Sequence, residues 1–403
     1  MDYMLDAAGE SRLAGYFDEI GALLGRRGRR ESFAMYAMGL LGEGERKSVE
    51  PIAARACGDP ELCRAYTERL LNFVTESQWR DQPVREYAAR YAIKAMTLRE
   101  PIEAWIVDDT GFPKQGTKSP GVQRQYSGTL GKTGNCQVAP SLTIATRTQE
   151  LPIDMDLYLP ESWADDRVRC RVAHIPDDVG YRAKWRIALD LIERNVKAGI
   201  PLGLMLGDSA FGDVGAFREG VRALGFDYAV DVKCHTRVEI VGDDGSVSDP
   251  MSVEMAAEVI GARSYRKVTW RQGTRRVLAS RFAMLRVRPI TASSTRGDEQ
   301  WLVIERPRSD EAPSHYVLAT LPKSITRKQM IRRIKQRWRI ERSYEDLKGE
   351  LGLDHFEGRS YRGWQHHVTC AFACYAFLVA ERVRAFPPSA RGTKNDDSIA
   401  SAA

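Results

Sequence analysis

Residues 202–233 read LGLMLGDSAFGDVGAFREGVRALGFDYAVDVK, and the order of patterns within this stretch decides the fold class. LGLMLGD is a short apolar run that ends in an aspartate, DVGAFREGVRALG has apolar residues at helical spacing, and DYAVDVK is a second short apolar run. Short apolar runs predict strands, and a 3.6-residue periodicity predicts a helix. A strand, a helix and a strand in succession predict an α/β protein.

The sequence before this stretch extends the pattern. Three apolar runs, EAWIVDD, CQVAPSLTIAT and LPIDMDLYLP, predict consecutive strands between residues 103 and 160. KWRIALDLIERNVKAG, residues 184–199, predicts a helix. Three strands followed by alternating helices and strands are the order expected of a ribonuclease-H-like core, which we therefore predict.

The remaining segments divide the chain further. Residues 1–98 alternate apolar and charged positions at helical spacing and predict an all-helical domain. The α/β core would then occupy 99–234 and, with two C-terminal helices, 323–388. Short strand-like runs predict a mainly β insertion at 235–322, and the polar tail 389–403 is predicted to be disordered.

Composition limits the classes of function. The 403-residue chain has a formal net charge of +6, a moderate basic balance that indicates a nucleic-acid partner only weakly. Its seven scattered cysteines predict reduced thiols in a cytoplasmic protein, and neither a disulfide framework nor a zinc site. No stretch approaches the roughly 18 uninterrupted apolar residues that span a bilayer, and the N-terminus lacks an apolar signal core, so we expect no membrane association.

Basic residues beside two predicted helix starts add to the charge signal. GRRGRRESF and GERKSVEPIAARA place arginines and lysines where unpaired backbone N–H groups favour phosphate contacts. We therefore predict that the helical domain 1–98 binds DNA. A solvated helix face is the alternative.

Two aspartates end predicted strands. Asp109 ends the run EAWIVDD and Asp208 ends LGLMLGD, so each lies where a strand leaves the sheet. α/β proteins usually build their sites at this carboxyl edge. A turn or helix-cap role is the common alternative for either aspartate taken alone.

A third carboxylate lies on a predicted helix at 326–351. At 100° per residue, Arg337, Glu341, Tyr344 and Lys348 share one stripe between apolar flanks. Charged residues along the centre of such a face carry a desolvation cost, which indicates a specific role. An intrahelical ion pair between Glu341 and Arg337 is the structural alternative.

This helix resembles the one that carries the Y-x2-R-x3-E-x6-K signature of the DDE transposases of bacterial insertion sequences. Arg337, Glu341 and Lys348 match in type and spacing, whereas Ile334 stands at the tyrosine position and Tyr344 lies on the same stripe. The segments IVDDTGFPKQG, GVQRQYSGTLGKTGNCQ, LYLPESW, LGDSAFGD and LGLDHFEGRSYRGWQHH, in this order, are similar to the 701 family of insertion sequences.

The resemblance implies metal-dependent cleavage of DNA at element ends and strand transfer into target DNA. It implies that Asp109, Asp208 and Glu341 are catalytic metal ligands, with Asp109 bridging two Mg²⁺ ions, for which Mn²⁺ can substitute. Spacing leaves Asp108 and Asp109 open as the first ligand. Asp109 is preferred because Thr110 follows it, as a threonine does in the family.

The predicted DNA contacts are Arg124, Lys132, Arg337, Trp338, Tyr344 and Lys348. Arg337 and Lys348 would meet phosphates near the cut. Trp338 resembles a position at which relatives stack an unpaired base, with core packing as the alternative. The Gly-, Lys- and Arg-rich segment 114–135 would lie along the DNA backbone, with a mobile loop as the alternative.

The resemblance also implies a homodimer on double-stranded DNA. The main alternative is a DNA-binding regulator derived from a transposase, against which the retention of all three acidic residues argues. A nuclease or resolvase without strand transfer is the second alternative. GLGKTGN lacks the spacing of a phosphate-binding loop, which argues against a nucleotide-binding enzyme. The adjacent pair His366 and His367 does not have the spacing of metal ligands, so we predict no catalytic role for it.

Overall fold

The computed structural model describes residues 6–272, 277–290, 296–307 and 311–386. The chain is mixed α/β, as predicted. The predicted disordered tail, 389–403, lies outside the described residues. None of the described helices is long and apolar enough to cross a membrane.

The chain divides into two compact units, which we call the helical unit and the sheet unit. The helical unit holds the described residues of Met1–Ile102, Ala145–Ile153 and Glu345–Ala403. The sheet unit holds those of Glu103–Ile144 and Asp154–Tyr344.

The N-terminal part of the helical unit is a series of helices, of which α1 and α4 begin at capping aspartates. They are α1 (Ala7–Leu24), α2 (Arg27–Leu41), α3 (Val49–Ala56), α4 (Pro60–Leu71), a π-helix (Asn72–Glu76) and α5 (Asp81–Met96). The Asp6 carboxylate accepts a hydrogen bond from Gly9 N at the start of α1, and Asp59 accepts one from Glu61 N at the start of α4.

A long C-terminal helix, Tyr361–Ala385, forms the centre of the helical unit. It is buried along most of its length and packs along α5. A helix that is apolar on nearly all sides must be covered by other helices, so its position follows from its composition.

Two large buried polar side chains of the helical unit, Arg85 and His366, lie beside hydrogen-bonding groups. Arg85 on α5 donates to Thr369 Oγ1 at 2.8 Å and also contacts the side chain of Gln365. The His366 imidazole lies between two main-chain carbonyl oxygens, Val74 O at 2.9 Å and Trp79 O at 3.0 Å. These partners replace the hydrogen bonds to water that burial removes.

Cys57 and Cys63 form a disulfide, so the prediction that all cysteines are reduced is wrong for this pair. Cys57 follows the end of α3 and Cys63 lies in the first turns of α4. The short connection through Gly58 brings the two Cα atoms to 5.5 Å, within the usual range for a disulfide. Spacing in the sequence does not show this turn.

The first half of the sheet unit alternates strands and helices. Its elements are β1 (Ala104–Pro113), β2 (Gln123–Ser127), β3 (Lys132–Ala145), β4 (Glu150–Met155), α6 (Glu161–Ala164), α7 (Arg167–Val172), α8 (Lys184–Lys197), β5 (Leu204–Gly207), α9 (Ser209–Gly212), α10 (Gly215–Ala223) and β6 (Tyr228–Val232). β4 begins in the segment that belongs to the helical unit. The strands and helices predicted for 103–160 and 184–233 are all present.

The second half is mainly β and ends in two helices. Its elements are β7 (Arg237–Val241), β8 (Met251–Ser252), α11 (Val253–Val259), β9 (Arg266–Gln272), β10 (Val277–Pro289), β11 (Gln300–Arg306), β12 (His315–Ala319), α12 (Arg327–Ile334) and α13 (Arg339–Gly349). α13 runs on into the helical unit after Tyr344.

One mixed sheet organises the sheet unit, with the strand order β2-β3-β1-β5-β6-β12-β11-β10-β7-β8 and β9 paired with β10. β1, β5 and β6 are parallel neighbours, whereas β6, β12, β11, β10, β7 and β8 pair antiparallel in succession. The carboxyl ends of β1, β5 and β6 therefore meet at one edge.

Two local predictions differ from the structure. Part of the segment 114–135 forms β2, which pairs antiparallel with the first residues of β3. The predicted continuous helix 326–351 is broken by a 3₁₀ turn at Lys335–Trp338. Lys335 Nζ forms an ion pair with Glu305 and Gln336 Nε2 donates to Glu103, so contacts with the sheet unit accompany the break.

Candidate active site

Three aspartates lie side by side at the carboxyl ends of the parallel strands. Val107 on β1 is in register with Gly207 on β5, and Gly207 is in register with Val230 on β6. The next residues along these strands are Asp108, Asp208 and Asp231. Neighbouring strands are about 4.8 Å apart, so these residues form a row, which we call the aspartate row.

One guanidinium group spans the aspartate row. Arg337 Nη1 lies 3.8 Å from Asp108 Oδ2, and Arg337 Nε lies 3.6 Å from Asp231 Oδ2. Because β5 lies between β1 and β6, this cation reaches both outer members of the row. The ion pair between Arg337 and Glu341, an alternative from the sequence, is not present among the described residues.

Partial burial of the aspartate row makes the charged form of its carboxylates less favourable. Burial, together with the neighbouring Asp208 carboxylate, raises the pKa of Asp108 to about 7, although Arg337 opposes the shift. Burial likewise raises the pKa values of Asp208 and Asp231, and Arg337 again opposes the shifts. Three desolvated carboxylates that share one arginine attract a further cation.

Asp208 also has a structural role. Its Oδ1 accepts a hydrogen bond from Ala210 N at 2.9 Å and caps the short helix α9. The helix-cap alternative from the sequence is therefore present, and the same side chain stands in the aspartate row. The cap fixes the orientation of the carboxylate.

Asp109 has a different environment. Its Oδ2 forms an ion pair of 2.7 Å with Nζ of Lys184 at the start of α8. Successive residues of a strand face opposite sides of the sheet, which accounts for the separate partners of Asp108 and Asp109. Asp109 remains close enough to Asp208 to raise its pKa, as a lesser contribution than burial.

Glu341 lies in the first turn of α13 and is exposed. It lines a cavity of about 260 Å³ together with Arg337 and Asp231. Within the ranges that the structure describes, its carboxylate has no hydrogen bond or ion pair to another side chain. It is therefore available to an added cation.

The other residues of the predicted stripe are distributed differently. Trp338 is half-buried and lines the same cavity as Glu341. The Tyr344 hydroxyl is hydrogen-bonded to Ser141 Oγ on β3, and burial raises its pKa well above 10. Lys348 belongs to the helical unit, where burial lowers the pKa of its ammonium group.

Arg124 and Lys132 lie on the β2–β3 hairpin. Arg124, on β2, pairs in register with Asn135, and Lys132, at the start of β3, pairs with Ser127. Both side chains are exposed. The segment 114–135 thus presents these cations on an ordered hairpin.

A family model described as "DDE superfamily endonuclease" matches residues 19–277. This chain belongs to that family. The matched range contains the whole aspartate row and Asp109, and it ends before Glu341. Membership implies a general dependence on divalent metal ions.

The chain is also similar to "Probable transposase for insertion sequence element IS701" of Microchaete diplosiphon. The two are 28% identical over 214 residues, which cover 52% of this chain and 51% of that protein. The chain thus spans about half the length of the curated relative that it matches.

The donor groups fit a magnesium-like ion in chemistry. Among the described residues, no three His, Cys, Asp or Glu side chains are already arranged as a metal cage. Mg²⁺ does not need one, because it usually binds one or two carboxylates together with water and substrate phosphate. Asp108 and Asp208 offer adjacent carboxylates, and the Arg337 guanidinium already stands in for a cation beside them.

Sequence reasoning missed Asp231. The signal was present, because DYAVDVK places an aspartate near the end of a strand, as EAWIVDD and LGLMLGD do. Asp231 is followed by Val232 and Lys233, so the apolar run continues past it. The register of β5 with β6, which no spacing in the sequence reveals, places it in the aspartate row.

Proposed function

We propose that the protein is an insertion-sequence transposase that cleaves DNA at element ends and joins those ends to target DNA. The observation that carries this proposal is the aspartate row, in which a family member gathers partly buried carboxylates around a single arginine. Similarity to a probable transposase supports strand transfer in addition to cleavage.

In this proposal Asp109, Asp208 and Glu341 hold two Mg²⁺ ions, for which Mn²⁺ can substitute. Such ions stabilise the charges that develop on attacking and leaving oxygens of a phosphodiester. Asp208 presents its carboxylate from a capped helix start, and Glu341 presents an exposed carboxylate at the cavity. Asp109 would have to exchange Lys184 for the metal.

Asp108 competes with Asp109 for the first ligand position. Asp108 is the residue in register beside Asp208, whereas the family pattern favours Asp109 because Thr110 follows it. The matched variants Asp108→Asn and Asp109→Asn remove the same charge from adjacent positions. The variant that loses Mn²⁺ binding in the absence of DNA identifies the ligand, and the other one keeps it.

DNA would meet the sheet unit through Arg337, Trp338, Tyr344, Arg124 and Lys132, and the helical unit through Lys348. The N-terminal helices support a further contact, because Arg26, Arg29 and Arg69 line a cavity of about 840 Å³ beside the start of α2. Arginines beside a helix start suit phosphate. We therefore keep 1–98 as a helical DNA-binding domain.

The finer architecture is part of the proposal. Residues 99–234 and 323–388 would form a ribonuclease-H-like core, and 235–322 a mainly β insertion. The order of four strands (β1–β4), three helices (α6–α8), β5, two helices (α9 and α10) and β6 supports the first assignment, and the antiparallel series β7–β12 supports the second. We further propose a cytoplasmic protein that acts as a homodimer on paired element ends.

The experiment is a cleavage-and-joining assay on DNA that carries the sequences flanking the gene, with Mg²⁺ or Mn²⁺. The wild type should release and join the ends, and Asp208→Asn and Glu341→Gln should bind the same DNA without cutting it. Release without joining would indicate a nuclease or resolvase.

A non-cutting DNA-binding regulator is the second candidate. The observation that favours it is the position of Arg337, which already neutralises part of the aspartate row where a metal would bind. Binding of the ends by the wild type without cleavage under any metal condition would establish the regulator and exclude the transposase.

A further inference from the structure

Asp231 has no role in the proposed metal set, yet it is built into the same edge. It follows Val230, the residue in register with Gly207, and its partner on the other side is Val317 of β12. An aspartate between strands of a sheet is disfavoured, and burial adds a desolvation cost. This cost indicates a function beyond the fold.

Arg337 is the ion-pair partner that the described part of the chain offers to Asp231. The contact is made by Nε at 3.6 Å, whereas Nη1 points to Asp108 at 3.8 Å. The two outer carboxylates therefore pull the guanidinium in opposite directions along the row. Without Asp231, the remaining attraction would come from Asp108 and Asp208.

We propose that Asp231 is a positioning residue that holds Arg337 at the β6 end of the aspartate row. There the cation borders the cavity shared with Glu341, where it can meet a DNA phosphate. It then leaves Asp208, together with whichever of Asp108 and Asp109 is the first ligand, open to a divalent ion. This inference rests on the proposed function for the identity of the phosphate, and on geometry alone for the position of Arg337.

The first test measures Mn²⁺ binding to the DNA-free protein by electron paramagnetic resonance. Asp231→Asn should weaken binding about tenfold, because the guanidinium then neutralises the other two carboxylates. The same substitution in an Arg337→Ala background should change binding less than about twofold, since the competing cation is gone. Asp231→Glu should restore most of the affinity.

Asp213→Asn is the matched control. Asp213 lies in the same unit and faces Lys233 and Thr236, so its replacement removes an equal charge away from Arg337. It should leave Mn²⁺ binding within about twofold of wild type. The melting temperature of each variant checks that the sheet unit is folded.

Two outcomes would overturn the inference. If Asp231→Asn weakens Mn²⁺ binding equally with and without Arg337, then Asp231 is itself a ligand. If the substitution has no effect in either background, or if the wild type binds no Mn²⁺, then Asp231 does not affect metal binding by holding Arg337 in position.

DNA binding without metal gives a second readout. Asp231→Asn and Arg337→Ala should each lower the slope of log affinity against log salt by about 0.9, the value for one lost phosphate contact. An unchanged slope in both variants would refute the phosphate contact. Failure of the proposed transposase function is distinguishable, because it appears as absent cleavage by a wild type whose Mn²⁺ binding still depends on Asp231 and Arg337 together.

Discussion

Both units of this protein bury charged or titratable side chains, but they treat them in opposite ways. In the helical unit, Arg85 donates to Thr369 and Gln365, and the neutral ring of His366 can donate to one of the two carbonyl oxygens beside it. In the sheet unit, Asp108 and Asp231 share the Arg337 guanidinium, which also acts electrostatically on Asp208. Buried polar groups that have hydrogen-bond partners stabilise a fold. Carboxylates that repel one another instead indicate a functional site, here one for a bound cation.

The largest effect that tests this contrast is expected from Asp208→Asn. Cleavage should fall at least about a thousandfold, because the variant removes a proposed metal ligand. The melting temperature in EDTA should stay the same or rise, since the amide keeps the cap on α9 and relieves repulsion within the aspartate row. Single-turnover cleavage and differential scanning calorimetry measure the two quantities. A strong loss of stability would show that the row is structural.

The opposite result is expected from Arg85→Met. Removing a buried cation leaves Thr369 and Gln365 without their donor and should lower the free energy of unfolding by about 3 kcal/mol. Denaturant titration measures this change, and Arg90→Met, at an exposed pair on the same helix, is the control. Equal destabilisation by the two variants would contradict the importance of pairing in this interior.

Acid and base should act on the two units in opposite senses. The folded pKa of Asp108 is raised to about 7, so its stabilising contribution is present below the unfolded value of 3.8 and is lost as pH rises through 7. Burial lowers the folded pKa of His366 to about 4, so its contribution is present above 6.5 and is lost as pH falls through 4.

Melting curves of the metal-free protein from pH 4 to pH 8 measure these contributions. Relative to wild type, Asp108→Asn should gain more stability at pH 8 than at pH 5. The stability deficit of His366→Gln should be smaller near pH 4.5 than at pH 8. If the melting temperatures of both variants and the wild type changed with pH in parallel, Asp108 and His366 would not give the two units opposite dependences on pH.

The smallest effect is expected from Lys184→Met. Its ion pair with Asp109 is only partly buried, so its loss should change the free energy of unfolding by less than about 1 kcal/mol. Denaturant titration beside Lys184→Arg is the measurement. A loss as large as that of Arg85→Met would show that the sheet edge, too, depends on paired charges.

Much of the fold could be predicted because its signals are local. The alternation of apolar runs and helical periodicity identified β5, α10 and β6, and a strand-ending aspartate identified Asp208. Asp231 was missed because membership of the row depends on register between strands, which is a non-local property. The break at Lys335–Trp338 was missed because residues 327–348 contain no Gly or Pro, and contacts with Glu305 and Glu103 accompany it.

That break also determines which way the end of the helix faces. A 3₁₀ residue advances by about 120° around the axis and an α residue by about 100°. Four 3₁₀ residues therefore turn the residues after Trp338 about 80° further around the axis than an uninterrupted α-helix would. The winding of this turn therefore determines the direction in which the Glu341 side chain points. If the turn rewound into an α-helix, that carboxylate would change direction while the strands that carry the aspartates stayed in place.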